Sequence, residues 1–403
     1  MLTPASPKYG SLVVIALLAF ALSIQAVIAV EAVKFKVHQV GSQGIPIYQV
    51  RIVDMNGDGL PDILPTIASF EERRLSWFEN PGWQRHVITK VAPPVGLWTA
   101  AQDLDGDGIP EIALAAGFTP FDVEKASGEL FLLQHQGSTS ALWQERLFDR
   151  LSMSHRVEFI DIDGSGDRLL VVSPVVGGSA ESLEVYPGTT PLVYYTPDGQ
   201  HQGSIKSDIV GYVHGMTAVD FDDLPGDEVL TAGLQGVWLH KPQRKEGSLQ
   251  WTSELLVPGF KGPTEFDRGA SDVRVGKLVD GRRFLLTVEP FHSGHAFVYL
   301  QNGTAWTRYQ IADDLTYIHA LAIGDLNGDG SDEIILGNRE DVFETYVYYA
   351  TDDTATSWRR HLLDDTMGGT DCNVADLNRD ERLDIVCGGH YSKNLRWYEN
   401  LGK

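Results

Sequence analysis

The sequence predicts an all-β chain, a seven-bladed β-propeller of four-stranded blades. Three observations predict it. An aspartate-rich loop recurs every 49–59 residues, at anchors Asp54, Asp103, Asp161, Asp220, Gly276, Asp325 and Asp376. Short apolar or alternating segments flank each loop, bounded by Gly, Pro, Asn and Asp, and no amphipathic helical period interrupts them. The C-terminal segment Leu395–Asn400 repeats the earlier Trp77-Phe78-Glu79-Asn80 pattern, and no further strand follows it. Repeats of this length are units that bury their faces only against neighbours, so residues 33–403 read as one closed domain.

The first repeat sets the order of elements. Ile47–Val53 is a short, mostly apolar strand, and the loop Asp54–Asp62 follows it. Ile63–Ile67 is the second strand and Leu75–Asn80 the third, which alternates. Pro81-Gly82 makes a turn. Trp83–Ile88 is the fourth strand, with polar residues interleaved. Its pattern returns at Trp143–Phe148, Trp251–Leu256, Trp306–Ile311 and Trp358–Leu363. The last repeat lacks this strand, and Phe35–Val40 near the start has its character. The N-terminal strand is therefore expected to complete the last blade, which removes the open edge that β proteins must otherwise protect. Residues 178–207 read as an insertion in the third repeat.

The 403 residues carry a net charge of −23, with many of the acids in the repeat loops. No basic run or Lys/Arg stripe is present, which excludes nucleic acid as a partner. Residues 1–29 read as a secretory signal peptide: Lys8, the apolar run Leu12–Ile24, and small residues ending at Ala29. The competing reading is an uncleaved anchor over residues 11–30, just long enough to cross a bilayer. Export would make the protein secreted or periplasmic, with no membrane contact after cleavage. Cys372 and Cys387 flank the last loop. They are expected to face each other across a hairpin, either as a disulfide or as two buried thiols.

The loops have the form D-x-[DN]-x-D-G-x-x-[DE], except that the last has Glu381 where the others have Gly. The residues at positions 1, 3, 5 and 9 are Asp54, Asn56, Asp58 and Asp62 in the first copy, and Asp103, Asp105, Asp107 and Glu111 in the second. They are Asp325, Asn327, Asp329 and Glu333 in the sixth, and Asp376, Asn378, Asp380 and Asp384 in the last. Convergent hard oxygens select Ca²⁺. An EF-hand requires a bidentate Glu at position 12, where this chain has Pro65, Leu114, Leu336 and Cys387. These are therefore expected to be calcium loops between strands, structural in role. The copy at Asp161 (Asp163, Asp167) and the copy at Asp220 (Asp222, Asp227) are weaker.

Counting back six residues from each anchor gives Tyr48, Leu97, His155, His214, Ala270, His319 and Thr370. Three of these seven positions are histidine, in a chain with 12 histidines. In a propeller this phase rings the axial funnel, so imidazoles from separate blades are expected to meet there. Arg156, Arg268, Tyr212, Tyr317, Trp98 and Asp371 lie nearby in sequence. The segment Glu289-Pro290-Phe291-His292 follows a strand and is expected to bring His292 to the same face, and His390-Tyr391 occupies a comparable place. Imidazole and phenol supply base and acid, and Arg steadies an anion. Three imidazoles could equally take a transition metal such as Zn²⁺.

The loops and the segment Trp77–Trp83 resemble the FG-GAP/VCBS repeat family of seven-bladed propellers. Met153-Ser154-His155-Arg156, Val213-His214, Ile318-His319 and Glu289–His292 are similar to segments of the propeller part of aldos-2-ulose dehydratase and of related rhamnose–glucuronate lyases. That resemblance implies β-elimination at a sugar ring, with His155 as the base, Arg156 and Arg268 steadying the anion, and His214, His319 or Tyr317 as the acid. The chain lacks the second propeller and the cupin domain of the dehydratase. The alternative is a non-catalytic propeller that binds a glycan or a protein.

Overall fold

The computed structural model describes residues 32–403, apart from 42–43, 70–73, 91–95, 120–124, 178–187, 206–207, 223 and 265–266. The segment read as a signal peptide lies outside the described residues. Seven four-stranded antiparallel sheets are arranged as blades, with one two-stranded ribbon, Phe260–Lys261 with Arg268–Gly269. The inner strands are Ile47–Val53, Trp98–Gln102, Ser154–Asp161, Val213–Val219, Asp272–Lys277, Ile318–Gly324 and Gly369–Ala375. Each contacts the inner strands of both neighbouring blades, and the seventh returns to the first.

Burial explains the strand sequences. Second strands such as Asp62–Ile67, Glu111–Ala116 and Glu333–Asn338 are buried at every residue, because blades cover both of their faces. They consequently read as apolar runs rather than alternating ones. Outer strands such as Gln144–Arg150 and Ala305–Ala312 are largely exposed. The core is divided into clusters between blades: Phe284, Leu286 and Val298 of the fifth blade pack with Ile318, Leu336 and Tyr348 of the sixth.

The ring closes as the sequence predicts. Phe35–Gln39 pairs antiparallel with Asn394–Asn400, in register from Phe35 opposite Asn400 to Gln39 opposite Arg396. The region read as an insertion is corrected in part. Leu192–Tyr195 and His201–Ile205 are the third and fourth strands of the third blade, so the added chain is confined to the connection before them.

The ninth loop residue acts as a keystone. Asp62 Oδ2 accepts the Met55 N–H (2.8 Å), Glu111 Oε2 that of Leu104 (2.8 Å), Glu333 Oε2 that of Leu326 (2.9 Å) and Asp384 Oδ2 that of Leu377 (3.2 Å). In the Asp220 loop this position is Glu228, which accepts the Phe221 N–H at 2.8 Å. Asp227 instead reaches the preceding blade and accepts the Asp161 N–H at 2.8 Å. A buried backbone N–H must find a partner, which accounts for an acid at that place in these five loops; the Asp161 loop has Leu169 there.

Cys372 and Cys387 stand directly opposite on adjacent strands, with Cα atoms 4.2 Å apart, and are joined in a disulfide. The bridge closes a segment of 15 residues. By loop entropy a bridge of that span is worth about 3 kcal/mol. Replacing both cysteines with serine should lower the denaturation free energy by that order, as read from urea melts, while leaving the ring assembled.

Candidate functional site

Three histidines on inner strands share one device. The Nδ1–H of His155 donates to the His214 carbonyl (3.2 Å), that of His214 to the Ser271 carbonyl (2.8 Å) and that of His319 to the Thr370 carbonyl (2.6 Å). Each acceptor lies on the next blade, so ring curvature and imidazole orientation are set together. A neutral imidazole that donates from Nδ1 keeps a lone pair on Nε2. Burial, with the charges of Arg156 and Arg339 nearby, holds these rings neutral. His214 is pushed down to about 3, and His155 and His319 fall well below the usual histidine value.

His292 joins them from a loop of the fifth blade. Its backbone has φ 49°, a left-handed conformation that non-glycine residues seldom adopt. The turn is held by Glu289 N–H to the His295 carbonyl (3.1 Å), and by the Ser293 hydroxyl to the Glu289 carbonyl (2.7 Å). Gly294 lets it lie on the next blade, since a Cβ there would stand 1.7 Å from the Leu315 carbonyl oxygen. Beneath it, buried Glu289 accepts bonds from Tyr299 (2.8 Å), Thr287 (2.8 Å) and Arg308 (3.0 Å).

The rings meet closely. His214 and His292 have centroids 4.5 Å apart, His292 and His319 5.1 Å, His214 and His319 5.6 Å, and His155 and His214 4.7 Å. His292 Nε2 lies 3.0 Å from His214 Nε2, and His292 Nδ1 lies 2.5 Å from the Tyr317 hydroxyl. Because His214 Nε2 is bare, His292 must carry its hydrogen on Nε2, and Tyr317 then donates to Nδ1. His292 and Tyr317 are only half-buried, and they form the accessible part of the cluster.

His155 sits deeper. It is 1% exposed, and its Nε2 accepts from the Tyr48 hydroxyl at 3.0 Å, with Arg156 Nη1 at 3.4 Å. Arg156 is buried over the Trp98 ring, 3.7 Å from its centroid, with Asp272 at 3.8 Å. Toward the loop face the axis holds a polar cavity of about 290 Å³, lined by Arg51, Glu158, Arg274, Asp371 and Asn373 among others. Arg51 pairs with Glu158 at 2.8 Å and Arg274 with Asp272 at 2.7 Å. Asp371 caps the Val50 N–H (2.8 Å), and burial raises its carboxyl to about 7.

Of the residues singled out from sequence, His155, Arg156, His214, His292, His319 and Tyr317 are brought together. Arg268 is not. Its guanidinium is exposed on the two-stranded ribbon and donates to the Gly262 (2.8 Å) and Pro263 (3.3 Å) carbonyls, while its own carbonyl accepts from Tyr212 (2.7 Å). The reason is the two-stranded ribbon, which carries residue 268 outward before the inner strand begins. Arg339 was missed. Its Cζ lies 5.3 Å from the Tyr391 ring centroid and 5.8 Å from those of Tyr48 and Tyr317, and its Nε faces Glu340 Oε1 at 3.7 Å without a hydrogen bond among the described residues. The missed signal is positional: the residues directly after the second strands of successive blades are Glu289, Arg339 and His390, of which Glu289 is buried beneath the His292 turn and Arg339 stands beside Tyr48, Tyr317 and Tyr391.

In the calcium-type loops the first Asp serves the loop itself. Asp54 accepts from Gly57 (2.8 Å) and Gly59 (2.6 Å), Asp103 from Gly106 (2.7 Å) and Gly108 (3.0 Å), and Asp325 from Gly328 (2.8 Å) and Gly330 (2.9 Å). Ligand oxygens of Asp103, Asp105 and Glu111 lie within 4.8 Å of one another, as do those of Asp220, Asp222 and Glu228. In the sixth loop, burial and Asp329 raise Glu333 to about 8, and Asn327 Nδ2 donates to it at 2.6 Å.

Residues 325–387 match the family described as FG-GAP-like repeat. No curated protein matches the chain. Among solved structures, the chain is similar to one titled "Structure of Dos1 propeller", with TM-score 0.53 and 9% identity over 92% of this chain and 82% of that one. It is also similar to "Crystal structure of BBS1N in complex with ARL6DN, soaked with lead", with TM-score 0.52 and 12% identity over 91% and 96%. At these identities the likeness is one of fold alone. The chain is a seven-bladed β-propeller that carries an FG-GAP-like repeat.

Proposed function

We propose that the protein is an exported carbohydrate lyase or dehydratase that acts by β-elimination on an acidic or keto sugar at the axial histidine face. The observation that carries this reading is the half-buried Tyr317–His292 pair at 2.5 Å, beside the tyrosine-framed Arg339. The role first given to His155 passes to Tyr317, because both nitrogens of the buried His155 ring are already engaged. Tyr317 passes its own phenolic proton to His292 Nδ1 as its oxygen takes the proton α to the carboxylate or ketone, so His292 becomes a transient imidazolium. Arg339 steadies the resulting enolate. The carbon–carbon double bond forms as the β carbon–oxygen bond breaks, Tyr317 gives the abstracted proton to the departing oxygen, and His292 returns the phenolic proton to Tyr317. Proton and electron pairs balance, and the enzyme ends as it began.

The product is a conjugated alkene. Incubation with uronic-acid polysaccharides or 2-keto sugars should raise ultraviolet absorbance with time. Binding to such glycans without any rise would support the non-catalytic propeller instead.

Structural Ca²⁺ in the loops belongs to the same reading, supported most by the convergent oxygens of the Asp103 loop. A cation that binds only the folded ring at 100 times its Kd adds about 2.7 kcal/mol. Chelation with EGTA should therefore lower the melting temperature by several degrees, and Asp103→Asn should remove part of that difference. Melting that is indifferent to both would refute the assignment.

A further inference from the structure

We propose that His214, His292 and His319 together hold one divalent cation of the Zn²⁺ class through their Nε2 atoms. The inference goes beyond the elimination chemistry and stands whether or not that chemistry occurs.

The donor atoms of these three residues all lie within 4.8 Å of one another. Zn–N bonds of about 2.0–2.1 Å place tetrahedral donors about 3.4 Å apart, so His292 Nε2, now 3.0 Å from His214 Nε2, needs to withdraw by only a few tenths of an ångström. Among the described residues, buried His319 Nε2 has no hydrogen-bond partner. A desolvated acceptor left in that state costs about 1–3 kcal/mol, which a cation on its lone pair would recover.

The surroundings match what metal-bound imidazoles need. A ligating histidine uses its second nitrogen on a carbonyl, carboxylate or similar group, which fixes tautomer and direction. His214 and His319 already do so, on the Ser271 and Thr370 carbonyls, and His292 has Tyr317 at the equivalent place. Binding would move the His292 hydrogen from Nε2 to Nδ1 and make the Tyr317 oxygen its acceptor, with no net change in protons. His155 is excluded from the set because Tyr48 occupies its Nε2. The half-buried side at His292 leaves a fourth position open to solvent or to a ligand oxygen, the pattern of a reactive rather than a closed structural site. An all-imidazole set favours Zn²⁺, Co²⁺, Ni²⁺ or Cu²⁺ over the oxygen-seeking Ca²⁺ and Mg²⁺.

The test needs no sugar. The calcium-saturated full chain is titrated with Co²⁺ and followed by visible d–d absorption. One equivalent should give the intense bands of a nitrogen-ligated site of low coordination number, and Zn²⁺ should displace it. His292→Gln and His319→Gln should each weaken Co²⁺ binding more than the roughly 10–100-fold expected from losing an outer-shell partner. His155→Gln and Asp103→Asn should leave the bands in place. His292→Gln lies on a half-buried loop and changes no strand, so it carries the test even if His319→Gln fails to fold. Absence of the bands in the unaltered protein, or their survival in His292→Gln, overturns the proposal.

Discussion

Tyr317→Phe should abolish elimination while leaving the propeller intact. The substitution removes one oxygen, whose hydrogen-bond partner is His292 Nδ1 at 2.5 Å, and keeps the ring that packs beside Arg339. A positioned acid–base group is worth on the order of 10²–10⁴-fold in rate. Since Tyr317 is proposed to serve in both proton transfers, the fall in kcat should lie at the upper end, with little change in KM. Arg339→Lys should behave differently. It keeps the charge but loses the planar fork that meets a carboxylate, so KM should rise together with a smaller loss of kcat. Full activity in Tyr317→Phe, measured by ultraviolet absorbance on a substrate the unaltered protein converts, would remove this residue from the mechanism. His155→Ala reads differently again. It deletes the acceptor of Tyr48 and the bond to the His214 carbonyl, so its first effect should be on melting temperature.

The contrast between Arg339 and the histidines marks how far the sequence could be read. Loop spacing gave the blades, because an aspartate loop must follow each inner strand and its Gly positions need positive φ, as at Gly57, Gly59, Gly106 and Gly108. Counting from those anchors found His155, His214 and His319, because residues at one strand phase share one face. The same count could not rank them. Depth along the axis depends on how each blade packs on the next, and only that packing hides His155 behind Tyr48 while leaving His292 reachable. Arg268 fails for a related reason: it precedes the inner strand by a few residues, and the ribbon of Phe260–Lys261 with Arg268–Gly269 carries it out of phase. Arg339 sits after a second strand and not before an inner one, so a count from inner-strand anchors passes over it. The ninth-position acids recur at one place within the chain, and the structure adds a second role for them. Asp62 and Asp384 are fully buried and committed to backbone N–H groups, a role that acid spacing alone does not distinguish from metal ligation.

Removal of residues 32–40 should cost the chain its fold. Those residues carry the outer strand of the last blade, which covers Asn394–Asn400. Beyond the five paired positions, Lys34 N–H donates to the Gly402 carbonyl (3.0 Å), Leu401 N–H to the Lys34 carbonyl (2.9 Å) and Val40 N–H to the Leu395 carbonyl (3.0 Å). Side chains lock the same seam. Glu399 accepts from Lys36 at 3.1 Å and lies 2.7 Å from His38, whose ring stacks on Trp397 at 4.2 Å. Val33 and Val40 are buried beneath it. At about 0.5–1.5 kcal/mol for each net hydrogen bond, the strand contributes on the order of 5 kcal/mol before its apolar burial is counted. A domain has only about 5–15 kcal/mol in total. The truncated ring would also present Asn394–Asn400 as an unpaired edge, which invites pairing with a second copy. The expected result is insoluble protein, or soluble oligomers whose melting temperature falls by well over ten degrees. A synthetic peptide of residues 32–41 supplied during refolding should restore the monomer, because the missing strand is held by pairing and not by its covalent link. A monomeric truncated chain that melts as the full chain does would show that closure lies elsewhere, in the contact between the first and seventh inner strands.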